Sequence, residues 1–420
     1  MPKPSDNNIK NDADPNAITI QEARTRIQDK LHQCNEQETI ACAKAYGRIV
    51  AHDVFTNLQV PPFRASAMDG YAVRASECGN PLTLSGESLA GHPGDNHIPA
   101  LTAQRITTGA RVPDDADAVV QQENVTLDNG SIVVNSLPGS GLNIRTPGSD
   151  TTSGSLLLSA GERISASQQA LLASQGITQV AVWRKIRIAV FSTGDELVEP
   201  GATLRVGQIN DANRALLLAL LDDPASELTD LGIASDSLSA IQSIIDATHD
   251  ADLVISSGGV SVGDADYVKA ALEKNGSMDI WKIAMKPGRP LTFGFLDPEK
   301  AFFGLPGNPV SAAITCLLFV RPAIDFMCGT TSRNQPALEL PLKGNLHKNP
   351  GRVEYQRARM ARDEESSQWY VTTTGVQDSH VLQSLQRADC LIELAVDSTG
   401  AKDGDVVTVV PFTHYSRSIL

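Results

Sequence analysis

Apolar residues change their spacing several times along this chain, and each change predicts a different kind of structure. Residues 1–16 carry Asn, Asp, Lys and Pro without any apolar period. Such a composition buries too little surface to order itself, so a disordered tail is expected. From Thr19 the period is helical: Ile20, Ala23, Ile27 and Leu31 fall on one stripe, and Thr19 with Glu22 makes a capping box. Between Ile49 and Gly148 the apolar runs become short, as in Leu82-Thr83-Leu84, Ala118-Val119-Val120 and Ser131-Ile132-Val133-Val134, with Gly, Pro, Asn and Asp between them. Short strands and tight turns follow, and with them a small all-β domain. A helix over Ser165–Gln175, closed by Gly176, then leads into the strand Val180–Trp183.

Beyond Lys185 strands alternate with helices. The strands expected are Ile188–Phe191, Leu253–Ile255, Ile280–Ile283, Leu291–Phe295 and Phe302–Gly304, and the helices are Arg214–Leu221, Ser237–Thr248 and Asp266–Lys274, the last ending at Gly276. That alternation predicts a parallel sheet with crossover helices. Asn308 caps a further helix with Pro309 at its first position. Its apolar run, Val310–Val320, is shorter than the roughly 20 residues a bilayer span requires and reads as a buried core helix. The last segment alternates again over Trp369–Thr373, Leu391–Ala395 and Val406–Val410, predicting a second small β domain. No repeat of solenoid period is visible.

The fold class expected is therefore multidomain α/β plus β: a parallel-sheet α/β domain, two small β-rich domains and an elongated linking α/β domain. The boundaries read as 1–16 for the tail, 17–48 plus 149–183 for the linking domain, 49–148 for the β-rich domain, 184–332 for the α/β domain and 333–420 for the C-terminal β domain.

Composition narrows the class of function. The net charge is −14 and no Lys/Arg block stands out, which argues against a nucleic-acid partner. The six cysteines, Cys34, Cys42, Cys78, Cys316, Cys328 and Cys390, form no C-x-x-C pair. Together with the lack of a secretory leader they predict reduced thiols, a cytoplasmic location and no membrane attachment.

Ligands of open parallel sheets bind at the carboxyl ends of the strands, and four loops there are unusual. In Phe191-Ser192-Thr193-Gly194-Asp195-Glu196 a strand delivers hydroxyls, a glycine and two carboxylates into a turn. The run Ser256-Ser257-Gly258-Gly259-Val260-Ser261-Val262-Gly263-Asp264-Ala265-Asp266 joins a strand to a helix start, where glycines let backbone N–H groups enclose an oxyanion. The stretch from Trp281 to Pro290 sets Lys282, Lys286 and Arg289 at close spacing between prolines, and could equally be a solvated basic loop. In Gly304-Leu305-Pro306-Gly307-Asn308-Pro309-Val310-Ser311 the helix start itself offers free N–H groups. A separate candidate is Pro61 to Val73 with Asp69-Gly70 at its centre, followed by Arg105-Ile106-Thr107-Thr108-Gly109-Ala110; on spacing alone Asp69-Gly70 reads as an ordinary turn.

Taken in order, Phe63 to Val73, Thr107-Thr108-Gly109-Ala110, Phe191 to Glu196, Gly258 to Tyr267, Gly304 to Ser311, Pro350-Gly351-Arg352, Gln356-Arg357, Thr374-Gly375 and Ser379-His380 resemble the molybdopterin molybdenumtransferases, whose animal relative is the C-terminal domain of gephyrin. The resemblance covers nearly the whole chain after the tail. It implies that the α/β domain binds molybdopterin, and that the enzyme accepts adenylylated molybdopterin, releases AMP and inserts molybdate with the help of Mg2+. It also implies a homodimer with a shared active site, with a molybdopterin adenylyltransferase and apo-molybdoenzymes as partners.

Residue by residue, the resemblance assigns Asp69 and Thr108 of the β-rich domain, and Glu196, Asp236 and Asp266 of the α/β domain, to catalysis. Asp236 and Asp266 become candidate Mg2+ ligands, since Mg2+ takes oxygen donors. Substrate contacts are expected from Ser192, Thr193, Gly194, Asp195, Gly258, Gly259, Ser261, Lys282, Lys286, Arg289, Pro306, Asn308, Pro309 and Ser379. The cations would offset charge on the substrate phosphate and on molybdate, a tetrahedral dianion. Two positions depart from the family pattern: Arg64 stands where many relatives carry an acid, and Asp389 where Asn is common. The alternatives weighed are a molybdopterin adenylyltransferase and a scaffold that keeps the fold without the chemistry.

Overall fold

The computed structural model describes residues 11–128, 130–258, 276–331 and 337–412. The chain forms two compact units: one of Met1–Ala51, Gly161–Ser167 and Gln179–Leu420, the other of His52–Ala160 and Gln168–Thr178.

The smaller unit is built on a six-stranded sheet in the spatial order Ala118–Gln121, Gly70–Val73, Thr102–Ile106, Leu82–Ser88, Ser131–Val134 and Val125–Asp128. Gly70–Val73 is buried throughout. Because side chains alternate across a strand, Tyr71 and Val73 pack with Leu82, Val120 and Ile132 on one face while Ala72 packs with Ile98, Ile106 and Val112 on the other. The helix Ala166–Ser174 ends where the sequence predicts. Gly176 takes φ +68°, its N–H donates to the Ala173 carbonyl, and Ile177 N–H reaches back to Leu172, which together form a Schellman stop.

The larger unit contains a six-stranded sheet in the order Ser226–Ala234, Ile186–Thr193, Leu253–Ser257, Lys300–Leu305, Pro290–Asp297 and Ser277–Lys282. The first four strands are parallel, as expected. The last two strands pair antiparallel and extend that parallel core at one edge. The reason is connection length: Asp297 and Lys300 pair across a tight turn, and a parallel crossover needs a dozen residues or more. Alternation again sorts the core. Ile188, Val190, Ile255 and Phe303 face one layer, and Ala189, Phe191, Val254 and Phe302 face the other.

Pro309–Met327 packs on the first of these layers as a helix interrupted by a π turn over Cys316–Val320. It is the one described helix long and apolar enough to cross a membrane, and 78% of that window is buried inside the protein, as befits a core helix. Pro322 has no N–H to donate to the preceding turn, and the Arg24 guanidinium supplies a donor to the Leu318 carbonyl at 2.8 Å.

The same unit carries a second sheet, in the order Met285–Lys286, Val353–Arg362, Cys390–Leu394, Val406–Pro411 and Leu338–Pro341, with Trp369–Thr373 paired to Val353–Arg362. Its first strand comes from the Lys282–Pro290 stretch. That stretch is therefore a link between two sheets and not the free loop read from sequence. The tail also differs from expectation over 11–16. Asp12 N–H donates to the Pro350 carbonyl at 2.8 Å, and Ile18 bridges to Ile283.

Candidate functional site

In the larger unit the chain turns toward opposite sides after the neighbouring strands Ile186–Thr193 and Leu253–Ser257, which makes their carboxyl ends the switch point of the sheet. Both strands end in glycines with positive φ, Gly194 at +152° and Gly258 at +88°. A Cβ on Gly258 would lie 2.5 Å from the Thr193 carbonyl, and one on Gly194 would lie 2.7 Å from the Glu196 carboxylate. A Cβ at Gly258 would therefore force the two turns apart, whereas one at Gly194 would meet only the mobile end of the Glu196 side chain.

The residues between them gather three acids. Thr193 Oγ1 donates to the Asp236 carboxylate at 2.6 Å, and Asp236 N–H donates to Asp195 at 3.0 Å. Asp195 and Glu196 are exposed. Ser192 is placed differently from the sequence expectation. It is fully buried, and its hydroxyl donates to buried Asp211 at 3.1 Å, because strand alternation turns it to the interior. Asp211 in turn accepts from Arg214 Nε at 3.0 Å.

Sequence reasoning missed Asn213. Its amide donates to Ser257 Oγ at 2.8 Å and to the Gly307 carbonyl at 2.7 Å, joining the end of one strand to the Gly304–Ser311 turn. The polar run Asn210-Asp211-Ala212-Asn213-Arg214 directly before an apolar helix was the available signal.

The Gly304–Ser311 turn starts the helix that organises the rest. Pro306 is buried, Asn308 is exposed at the N-cap, and Pro309 takes the first helical position. Asn308 makes no capping bond with its side chain, but Val310 N–H donates to the Ser379 carbonyl at 3.1 Å, bringing Ser379 to this helix start. Gly288, φ +93°, lies on the same helix: a Cβ there would meet Thr315 Oγ1 at 2.5 Å. The cation-bearing stretch is thereby seated against Ser311 and Thr315.

Lys286 pairs in parallel register with Glu354, and Lys286 Nζ lies 3.4 Å from its buried carboxylate. Arg289 pairs with Asp14, and Lys282 Nζ is 3.6 Å from the same carboxylate. Arg352 reaches Asp12 at 2.5 Å. The acidic partners of this cluster were not read from the sequence.

In the smaller unit Gly70 pairs with Ile106, so the turns that precede and follow these strands lie side by side. Asp69 accepts from Thr108 N–H at 2.6 Å and from the Thr108 hydroxyl at 2.9 Å. These two bonds, the backbone one first, hold the Asp69 carboxyl below the usual carboxylate range. Asp69-Gly70 thus forms a turn whose carboxylate is anchored to Thr108. Arg64 is engaged by three carbonyls, those of Pro113, Asp114 and Ala116. Asp389 accepts from Met360 N–H at 2.9 Å, a bond that an Asn oxygen makes equally well.

Gly259, Ser261 and Asp266, with the helix expected over Asp266–Lys274, lie outside the described residues. Among the described residues no three His, Cys, Asp or Glu side chains converge on one metal position.

Comparison with known proteins agrees along the chain. Three family descriptions match in order: the MoeA N-terminal region (domain I and II) over residues 18–176, a probable molybdopterin binding domain over 189–325, and the MoeA C-terminal region (domain IV) over 339–412. A Haemophilus influenzae protein named molybdopterin molybdenumtransferase is 41% identical, covering 94% of this chain and 99% of the relative. A Dictyostelium discoideum gephyrin is 32% identical over 90% of this chain and 60% of its own length. The crystal structure of the molybdopterin biosynthesis MoeA protein from Pyrococcus horikoshii OT3 has a TM-score of 0.80 at 26% identity, over 94% of this chain and 100% of that one. The chain belongs to the molybdopterin molybdenumtransferase family.

Proposed function

We propose that this protein is a transferase of molybdenum-cofactor biosynthesis that takes adenylylated molybdopterin and molybdate, releases AMP and yields the molybdenum cofactor. The reading is supported by the switch point of the α/β sheet, where Thr193, Asp195 and Asp236 are joined by hydrogen bonds and the Glu196 carboxylate lies beside Gly194. Cleaving an anhydride between two phosphates requires their charge to be balanced before a nucleophile approaches. In this reading Lys282, Lys286 and Arg289 balance charge on phosphate and molybdate. Gly194 and Gly258 with Gly259 and Ser261 give the phosphate close backbone approach, and Pro306, Asn308, Pro309 and Ser379 form the rim. Asp236, oriented by Thr193, would hold Mg2+ together with Asp266, and the ion would supply positive charge to phosphate oxygens. Glu196 or Asp69 orients water, with Thr108 fixing Asp69.

The five-segment division, a homodimer that shares its active sites, a cytoplasmic location, and a molybdopterin adenylyltransferase and apo-molybdoenzymes as partners belong to the same proposal. Complementation tests it: the chain should restore molybdoenzyme activity to a bacterium deleted for its molybdopterin molybdenumtransferase. Co-expressed Asp69→Ala and Asp236→Ala chains should recover part of that activity if sites are shared. A non-catalytic scaffold is the second reading, and Asp266→Ala chains that still mature the enzyme would favour it. ATP-dependent transfer of AMP onto molybdopterin by the pure protein would replace both with an adenylyltransferase.

A further inference from the structure

The cations that the proposed function assigns to anionic substrate already have carboxylates on them. Asp14 pairs with Arg289 and lies 3.6 Å from Lys282 Nζ, while Asp12 reaches Arg352 at 2.5 Å. Glu354, the partner of Lys286, sits in the middle of a sheet and is buried. Asp12 and Asp14 lie outside every helix and strand, so they can leave without breaking a ladder.

The short segment is nevertheless guided into place. Asp12 N–H donates to the Pro350 carbonyl at 2.8 Å, and Gly351 adopts φ +110° where a Cβ would lie 2.2 Å from Ala13 N. Just beyond it, Ile18 N–H donates to the Lys282 carbonyl at 2.9 Å and Ala284 N–H donates to Ile18 at 2.8 Å. The segment is thus led across the cationic stretch from both sides.

The Arg289 and Arg352 side chains stay 42% and 21% exposed, so an incoming ligand can reach guanidinium N–H groups beside the carboxylates. A tetrahedral oxyanion brings more acceptor oxygens and suits the guanidinium fork.

We propose that the segment Asn11–Asp14 is an internal counter-ligand: its two carboxylates occupy the Lys282, Arg289 and Arg352 cluster until a tetrahedral oxyanion displaces them. The inference rests on the reading that this cluster binds anionic substrate. Partly exposed ion pairs are weak and screened by salt, so the segment restrains binding without blocking it. Its effect is to raise the oxyanion concentration needed for loading and to offset two of the cluster's three positive charges in the free protein.

The test is calorimetric titration of molybdate alone into the full chain, its Asp12→Asn/Asp14→Asn double variant and the single Asp14→Asn variant, with Arg289→Ala as reference. The double variant should bind molybdate roughly tenfold tighter than the parent at low salt, the single variant should fall between, and the gap should narrow as NaCl is raised past roughly 0.15 M. Arg289→Ala should lose the binding. Equal affinity in parent and variants, with Arg289→Ala impaired, overturns the counter-ligand while leaving the anion site in place. Equal affinity in all four, Arg289→Ala included, removes the anion role of the cluster and the inference with it. A double variant that is only less heat-stable, with unchanged affinity, makes the segment a clasp and overturns the inference. Should the double variant fail to fold, the single variant decides the question by the same criterion.

Discussion

The hydroxyl of Thr193 donates to the carboxylate of Asp236 at 2.6 Å, tying the ends of two adjacent parallel strands into one acidic turn. A hydrogen bond to a charged group contributes about 1.5–3 kcal/mol. Thr193→Val should therefore slow AMP release by about 10- to 100-fold, at roughly 1.4 kcal/mol per tenfold. Thr193→Ser should retain most of the rate. Equal rates for Val and Ser would remove the hydroxyl from the mechanism.

Asn213 holds Ser257 and Gly307 together with two donors of one amide. Asn213→Ala leaves the Ser257 hydroxyl, which is buried, without that partner and frees the Gly304–Ser311 turn. The expected result is a higher KM for the adenylylated substrate, by about tenfold if roughly 1–1.5 kcal/mol of positioning is lost, with a smaller change in kcat. Steady-state AMP release separates the two.

At Gly258 the backbone has φ +88° and a Cβ would stand 2.5 Å from the Thr193 carbonyl. Gly258→Ala should abolish most activity while the far-ultraviolet circular dichroism stays near that of the parent. The left-handed conformation alone costs about 1–2 kcal/mol. An active Gly258→Ala protein would mean the two turns do not need to meet.

Asp69 is kept ionised by the Thr108 N–H and then by the Thr108 hydroxyl. Since its carboxyl lies below the usual range in the folded state, activity that needs the carboxylate persists as pH falls and is lost only through that lowered value. Thr108→Ala removes the hydroxyl and keeps the N–H, so the acid limb of the rate profile should move to higher pH while remaining below the limb of a Thr108→Pro chain, which loses both donors. An unmoved limb would separate Asp69 from the rate.

Asp223 is buried between Arg163 at 2.7 Å and Arg321 at 3.2 Å. Burial pushes its carboxyl up, but the two guanidiniums and the Ala225 N–H outweigh it and leave it lowered. The stability it contributes is therefore present above the unfolded carboxylate pKa of about 3.9 and is lost as pH falls through the lower folded value. Asp223→Ala removes the carboxylate shared by Arg163 and Arg321, leaves Arg163 with Asp325, and should cost about 1–3 kcal/mol, measured by urea unfolding at neutral pH.

Local rules carried much of the fold. The Thr19–Glu22 capping box, the Gly176 stop and the Pro309 helix start are made by neighbours in sequence, and all three are where spacing places them. What the pattern did not carry is pairing at long range. Nothing near Lys286 announces that it will join a second sheet beside Glu354, and nothing near Asp14 announces Arg289, because both partnerships are set by packing of elements far apart in the chain. Ser192 shows the same limit on a shorter scale. A hydroxyl one residue ahead of Thr193 looks equivalent in sequence, yet alternation along the strand sends the two side chains to different partners, Asp211 and Asp236.

Mixing the purified protein with adenylylated molybdopterin, Mg2+ and molybdate, and following AMP release beside reconstitution of an apo-molybdoenzyme, decides whether the protein inserts molybdenum. AMP and reconstituting cofactor should appear together, both should require molybdate, and Asp236→Asn should suppress both. An adenylylated substrate that stays intact, with the protein folded and molybdate present, would contradict that activity.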